Sequence, residues 1–325
     1  MIAQVGELLL NTSLIFVVVS LAMYLVVISA SRRVNARTKA LVKVGADHEP
    51  EDHELDDPAL IGHEPEVDAS ESVADLEVAD EPTPAPAKVK KSLNVAGFAT
   101  AFSIVALVLI TGYLILRTIE SGHGPFANMH EFAVSFSWGI MVAFLVALWR
   151  FKARIVSLFV LPVVAGLLIF ALQAGIEIEP LLPALQNSLM LTLHVSFAVL
   201  SYGAAAVSFG AAVAYLLHPT LKLKTPRDRF DEIGYKGAVV CFPLMTVMIL
   251  LGAVWANTAW GRYWGWDPKE TAALVTWLVY AGFLHARIVA GWRGTRAAVF
   301  LLIGFAAVMF AYFGNYFLGG LHTYS

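Results

Sequence analysis

Eight apolar runs dominate this chain, at 8–30, 93–116, 132–149, 155–174, 190–217, 238–256, 271–290 and 297–318. About twenty apolar residues suffice to cross a bilayer as a helix. Within hydrocarbon every backbone N–H and C=O must be satisfied internally, so only helices and closed barrels span it. The runs are too long and too uniformly apolar for the alternating strands of about ten residues that build a barrel. The fold class that follows is all-α: a polytopic integral membrane helical bundle of about eight transmembrane helices.

Composition agrees, with 58% hydrophobic and 14% charged residues, a balance that excludes a soluble globular enzyme. The formal net charge of −3 conceals a strong asymmetry. Fifteen of the twenty-five acidic residues lie between Asp47 and Glu81, a stretch without Lys or Arg, and the rest of the chain is strongly basic. That stretch is too polar to bury a core and reads as a disordered tether, whose His48, His53 and His63 are solvated linker residues. The chain thus divides into an N-terminal transmembrane anchor (1–31), an acidic linker (32–92) and a membrane domain (93–325) containing a Trp-rich segment (252–270). The first run precedes Arg32, Arg33 and Arg37 instead of following basic residues, the reverse of a signal peptide's charge order, and is expected to be retained. Cys241 is the only cysteine, which excludes a disulfide framework, a CxxC pair and a CxxCH heme attachment site.

Threading the twenty-two Lys and Arg residues through eight alternating spans leaves only Arg117, Arg262 and Lys269 on one side. By the positive-inside rule that side is external, so both termini are extracytoplasmic and the acidic linker is cytoplasmic.

Four of the eight tryptophans, Trp255, Trp260, Trp264 and Trp266, fall within twelve residues on the external side, interleaved with Gly252, Gly261 and Gly265. An interfacial belt accounts for any one of them, but the cluster can also wall a large planar ligand. The segment runs into Asp267-Pro268-Lys269-Glu270, which as N-cap, first helical position and N3 makes a capping box. Asp267 is therefore a cap first and the nearest candidate for a general base second. His194, near the outer start of the fifth helix, and His322, beyond the eighth, share this face. Gly319 and Gly320 before His322 allow close backbone approach to a ligand. Two neutral imidazoles on opposite sides of a porphyrin would make six-coordinate iron, with the tryptophans as walls and Arg262 and Lys269 pairing with propionates. His285 lies toward the inner end of the seventh helix, as an iron ligand within the membrane or as an imidazole complementing the helix C-terminus. His123, His130 and His218 read as structural.

The stretch from Gly252 to Glu270, GAVWANTAWGRYWGWDPKE, resembles the WWD signature of heme-handling proteins of cytochrome c biogenesis. Over roughly 93–325 the chain is most similar to the CcsA/ResC type of System II, labelled CcsB in some bacteria. The resemblance implies export of heme across the bacterial plasma membrane and its presentation at the external WWD surface for thioether attachment to apocytochrome c CxxCH motifs. The protein would be one subunit of a holocytochrome c synthase. It further implies His194 and His322 as external heme ligands, His285 as a transmembrane ligand, noncovalent heme b as the transported substrate, and a CcsB/ResB-type membrane partner supplying the remaining ligand. Nucleic acid has no place among the partners. The sequence departs from the family at Asn128-Met129-His130-Glu131, where Tyr is more usual than His130. Two other readings stay open on the residues: a membrane electron carrier with b-type hemes, and a heme exporter or chaperone of the System I kind.

Overall fold

The computed structural model describes residues 2–46, 94–178, 186, 188–221, 223, 225–318 and 320. They form eight long α-helices: α1 (Ile2–Ala46), α2 (Val95–Ser121), α3 (Met129–Phe151), α4 (Ser157–Gln173), α5 (Ser188–Leu221), α6 (Arg227–Trp260), α7 (Pro268–Ile288) and α8 (Thr295–Phe317). All eight are long and apolar enough to cross a membrane, and no strand occurs among the described residues. The all-α polytopic bundle read from hydropathy is what the chain adopts. Its compact unit comprises Met1–Arg32 and Val95–Ser325, while Arg33–Asn94 form a second unit. Most of the acidic linker, including His48, His53 and His63, lies outside the described residues.

Two helices outrun their apolar cores. α6 starts at Arg227 rather than near 238, because 227–237 is amphipathic: Phe230, Ile233 and Gly234 are buried while Asp228, Arg229 and Glu232 face out. That period satisfies a helix but dilutes a hydropathy window. α1 continues to Ala46, well past its apolar run.

Local chemistry sets several ends. Asn128 caps α3 by accepting from the Glu131 N–H at 2.9 Å. Lys152 closes the same helix in the left-handed conformation, with φ 53°. Gly261 stops α6 with φ 71°, donating its N–H to the Asn257 carbonyl. Pro162, Pro219 and Pro243 sit inside helices, as membrane helices tolerate where neighbours protect the backbone.

α5 is the axis of the unit, packing against α3, α4, α6 and α8. Lipid offers no hydrophobic drive for helices to associate, so small residues at the seams bring backbones close enough for dispersion to hold them. A Cβ at Gly203 of α5 would strike the Gly139 carbonyl of α3, and one at Gly139 would strike Val199. α1 joins through a seam of Leu10, Ser13, Val17, Ser20 and Tyr24, all buried at alternating spacings of three and four. Ser20 Oγ donates to the Ala99 carbonyl at 2.8 Å, and Tyr24 shares a hydrogen bond with Thr100 at 2.9 Å.

Candidate functional site

At the end of the bundle formed by the N-termini of α3, α5 and α7 and the C-termini of α6 and α8, a cavity of about 100 Å³ opens between the helices. That is room for several waters, a chamber rather than a packing defect. Its walls are mostly apolar, from Met129, Phe132 and Phe136 on α3, Leu191 and Val195 on α5, and Met248 and Trp255 on α6. Its polar groups come from His194, Lys269, Glu270, Tyr202, Tyr312, Tyr263 and Trp264.

His194 carries the most specific geometry. Its Nδ1 lies 2.8 Å from the Met248 carbonyl oxygen, an acceptor only, so Nδ1 bears the proton and donates. In the neutral ring Nε2 is then the lone-pair nitrogen, the form in which imidazole binds a metal, with the backbone carbonyl fixing tautomer and orientation. The ring lies nearly parallel to Trp255, 9° apart with centroids 6.3 Å distant. It also rests on bare α6 backbone: a Cβ at Gly252 would come within 2.7 Å of Cε1 and 2.8 Å of Nδ1. Glycine at 252 is thus a condition for the histidine's position.

The tryptophans divide by role. Trp255 is buried in the cavity wall, and Trp260 braces it edge-on at 4.8 Å between centroids. Trp264 lines the cavity, with its buried Nε1–H lacking a hydrogen-bond partner among the described residues; the Tyr312 hydroxyl is in the same condition. Trp266 meets Trp264 edge-on at 5.8 Å and is 70% exposed, in a left-handed backbone conformation with φ 57°. A bulky side chain seldom adopts that conformation unless its surroundings impose it. Here it turns Trp266 outward while the chain bends into α7. Tyr263, 61% exposed, completes the aromatic rim.

Asp267 is buried and caps α7, accepting from the Lys269 N–H at 3.1 Å. Glu270 Oε2 accepts from Asp267 N at 3.1 Å and Gly265 N at 2.8 Å, closing the capping box and bracing the turn before it. The structure therefore engages the Asp267 carboxylate in holding the helix start. Lys269 lines the cavity, its ammonium 5.1 Å from the centre of the Phe132 ring. Arg262 is exposed and folds its guanidinium over Gly265.

Of the residues singled out by sequence, His194, Trp255, Trp264 and Lys269 meet in the cavity, with Trp260, Trp266, Arg262 and Asp267 around it. His285 does not join them. It is exposed on α7, seventeen residues from Pro268 and hence about 26 Å along the helix toward the opposite end. His322 lies outside the described residues; Gly320, two positions earlier, packs against Asp267 and Pro268.

His130 is structural, with both ring nitrogens engaged by the Ala171 carbonyl and the Tyr113 hydroxyl. Beside it the buried Glu131 pairs with Arg117 at 2.8 Å, and Arg117 donates also to the Ile176 and Glu177 carbonyls. His123 contacts the Gly124 carbonyl and His218 the Thr225 carbonyl.

Sequence reasoning passed over Met129, Phe132, Phe136, Tyr202 and Tyr312. The i, i+3 step from Met129 to Phe132, opposite in phase to His130 and Glu131, was a usable signal for the first pair. Tyr312 had none.

The profile of the cytochrome c assembly protein family matches residues 89–322. The chain belongs to this family. Within it the similarity is to CcsA proteins: that of Gloeobacter violaceus is 34% identical over 293 residues, 69% of this chain and 85% of the relative. That of Guillardia theta is 35% identical over 265 residues, covering 72% and 88%. Among solved structures, the cytochrome c heme lyase CcmF superposes with TM-score 0.63 at 16% identity, over 96% of this chain and 47% of that one. The likeness to CcmF is one of fold, and the chain spans about half its length. Both α1 and most of the linker precede the matched family region.

Proposed function

We propose that this cytochrome c assembly family member binds heme as a transported substrate and holds it at the WWD cavity for attachment to apocytochrome c. The observation that carries this reading is His194, with its Nδ1–H given to the Met248 carbonyl and its Nε2 left to ligate iron beside the parallel Trp255 ring. The apolar and aromatic chamber is sized for one edge of the macrocycle, the rest lying against the exposed Tyr263 and Trp266 rim, and Lys269, with Arg262 at the rim, suits the propionates. His322 is the second axial ligand in this reading.

The positive-inside distribution of Lys and Arg supports an external cavity with both termini outside; the membrane in this reading is the bacterial plasma membrane, with the thylakoid membrane as the alternative. Heme b arrives from the other side, where His285 is an exposed imidazole on α7, available to iron at an interface with a CcsB/ResB-type partner. The protein then works as a subunit of a holocytochrome c synthase, chiefly by positioning. Each CxxCH thiol adds across a heme vinyl group, sulfur bonding one carbon and hydrogen the other, with no net redox change. The CxxCH histidine takes the place of one of the two imidazoles, and the product leaves. Asp267, the nearest candidate for a general base, serves first as the α7 cap. An electron carrier would pair histidines from facing helices on both membrane halves, and would be recognised by reversible heme redox coupled to a quinone or another donor.

The test is His194→Gly, purified with its partner, with and without added imidazole. Expected are loss of the Soret band and of cytochrome c maturation, and recovery of both with imidazole. Full heme occupancy and maturation in the variant without imidazole would remove His194 as a ligand.

A further inference from the structure

The opposite end of the bundle holds a second built feature, which the heme reading does not use. Between the C-terminus of α3, the N-terminus of α6 and the α7–α8 turn lies a pocket of about 800 Å³, lined by Arg150, Arg229, Lys236, Arg287 and Arg293 together with Asp228, Asp231 and Glu232. Its carboxylates are largely committed. Asp231 is half-buried, paired with Arg287 at 2.6 Å and accepting from the Gly294 N–H at 2.9 Å, so it pins the α7–α8 turn that carries Arg293. Glu232 pairs with Lys236. Arg229 is held to α3 by donating to the Phe151 carbonyl at 3.1 Å. What remains is Arg150, Arg229 and Arg293, all exposed, against Asp228 alone.

The pocket sits where a headgroup would be. Trp149, next to Arg150, is 79% exposed, and Ile288 and Val289, just before the turn, are each 70% exposed. An exposed indole among aliphatic side chains at the end of membrane helices is the signature of the lipid interface. Basic pockets between transmembrane helices at that level recognise anionic lipid headgroups.

We propose that this pocket binds the phosphate of an anionic phospholipid, with Arg150, Arg229 and Arg293 on the headgroup and the acyl chains running past Trp149 and the aliphatic end of α7. Bound lipid would tie the ends of α3, α6 and α7 together. The site lies roughly 28 Å along α7 from the WWD cap, nineteen residues from Pro268 to Arg287, so it can be perturbed without touching the heme cavity.

The experiment is native mass spectrometry of the full chain taken from vesicles of equal phosphatidylglycerol and phosphatidylcholine, repeated with excess inorganic phosphate. Retention of phosphatidylglycerol over phosphatidylcholine is expected. Arg229→Gln and Arg293→Gln should each weaken it about fivefold, the equivalent of about 1 kcal/mol per basic side chain. Quenching of wild-type tryptophan fluorescence should be stronger with brominated phosphatidylglycerol than with brominated phosphatidylcholine, and should fall in Trp149→Phe. Equal retention of the two lipids, or retention unchanged in both arginine variants, overturns the proposal. So does full displacement by inorganic phosphate, which would make the occupant a soluble anion.

Discussion

Replacing Gly252 by alanine should separate heme binding from folding, because the helix-propensity gain offsets the cost of the displaced ring while nothing offsets the loss at the ligand. The new methyl would lie 2.7 Å from His194 Cε1 and 2.8 Å from Nδ1, where ordinary contact begins at 3.4 Å, so the ring must retreat by about 0.7 Å. Met248 and Gly252 are one helical turn apart on α6, so backing away from residue 252 also backs away from the carbonyl. The Nδ1–H···O bond, now 2.8 Å, stretches to about 3.5 Å and ceases to orient the ring. Loss of such an outer partner of a metal-binding histidine weakens metal affinity about 10- to 100-fold. Alanine inside a helix is meanwhile favoured over glycine by roughly 1 kcal/mol, so α6 should be no less stable. The assay is heme titration by Soret absorbance beside thermal unfolding followed by circular dichroism, wild type against Gly252→Ala. Weaker heme binding with little change in thermal stability is expected. Unchanged heme affinity would refute the claim that this carbonyl and this glycine set the His194 ring.

Lys269→Met keeps an unbranched side chain in the cavity and removes the charge that sits over Phe132, and should weaken heme binding about tenfold while leaving imidazole rescue of His194→Gly intact; equal titration curves would exclude a propionate role. Glu131→Gln leaves Arg117 buried without its counter-charge, at a cost of about 3–5 kcal/mol, which a large fall in melting temperature in detergent would report. A variant that melts with the wild type would mean the pair contributes little. Tyr280→Phe removes a buried hydroxyl with no hydrogen-bond partner among the described residues, and should be neutral or stabilising by up to about 1–3 kcal/mol. Marked destabilisation there would reveal an unrecognised partner of that hydroxyl.

The sequence alone determined the number of helices, the α7 cap and the clustering of tryptophans beside it, because each depends on near neighbours. Lipid forces every span to satisfy its own backbone, so hydropathy read locally gives the helices. Asp267, Pro268 and Glu270 make their cap within four residues, independent of anything distant. The same locality explains the errors of extent, since the amphipathic start of α6 is a helix only by its period, and a hydropathy window does not register period.

Only the tertiary structure decided what each aromatic and each histidine does. Trp255 and Trp266 are eleven residues apart and equally apolar, yet one is a buried wall and the other an exposed rim, divided by the stop at Gly261 and the left-handed turn at Trp266. His130 and His194 look alike as histidines near the N-terminal ends of helices. His130 is spent on Ala171 and Tyr113, whereas His194 keeps Nε2 because Met248 takes the other nitrogen. The cavity draws on five helices, from Met129 to Tyr312. Their relative register is set by close contacts such as Gly139 against Gly203, where glycine admits one helix to another's backbone. That register depends on the shapes of both surfaces at once, a property that residues near in sequence do not carry.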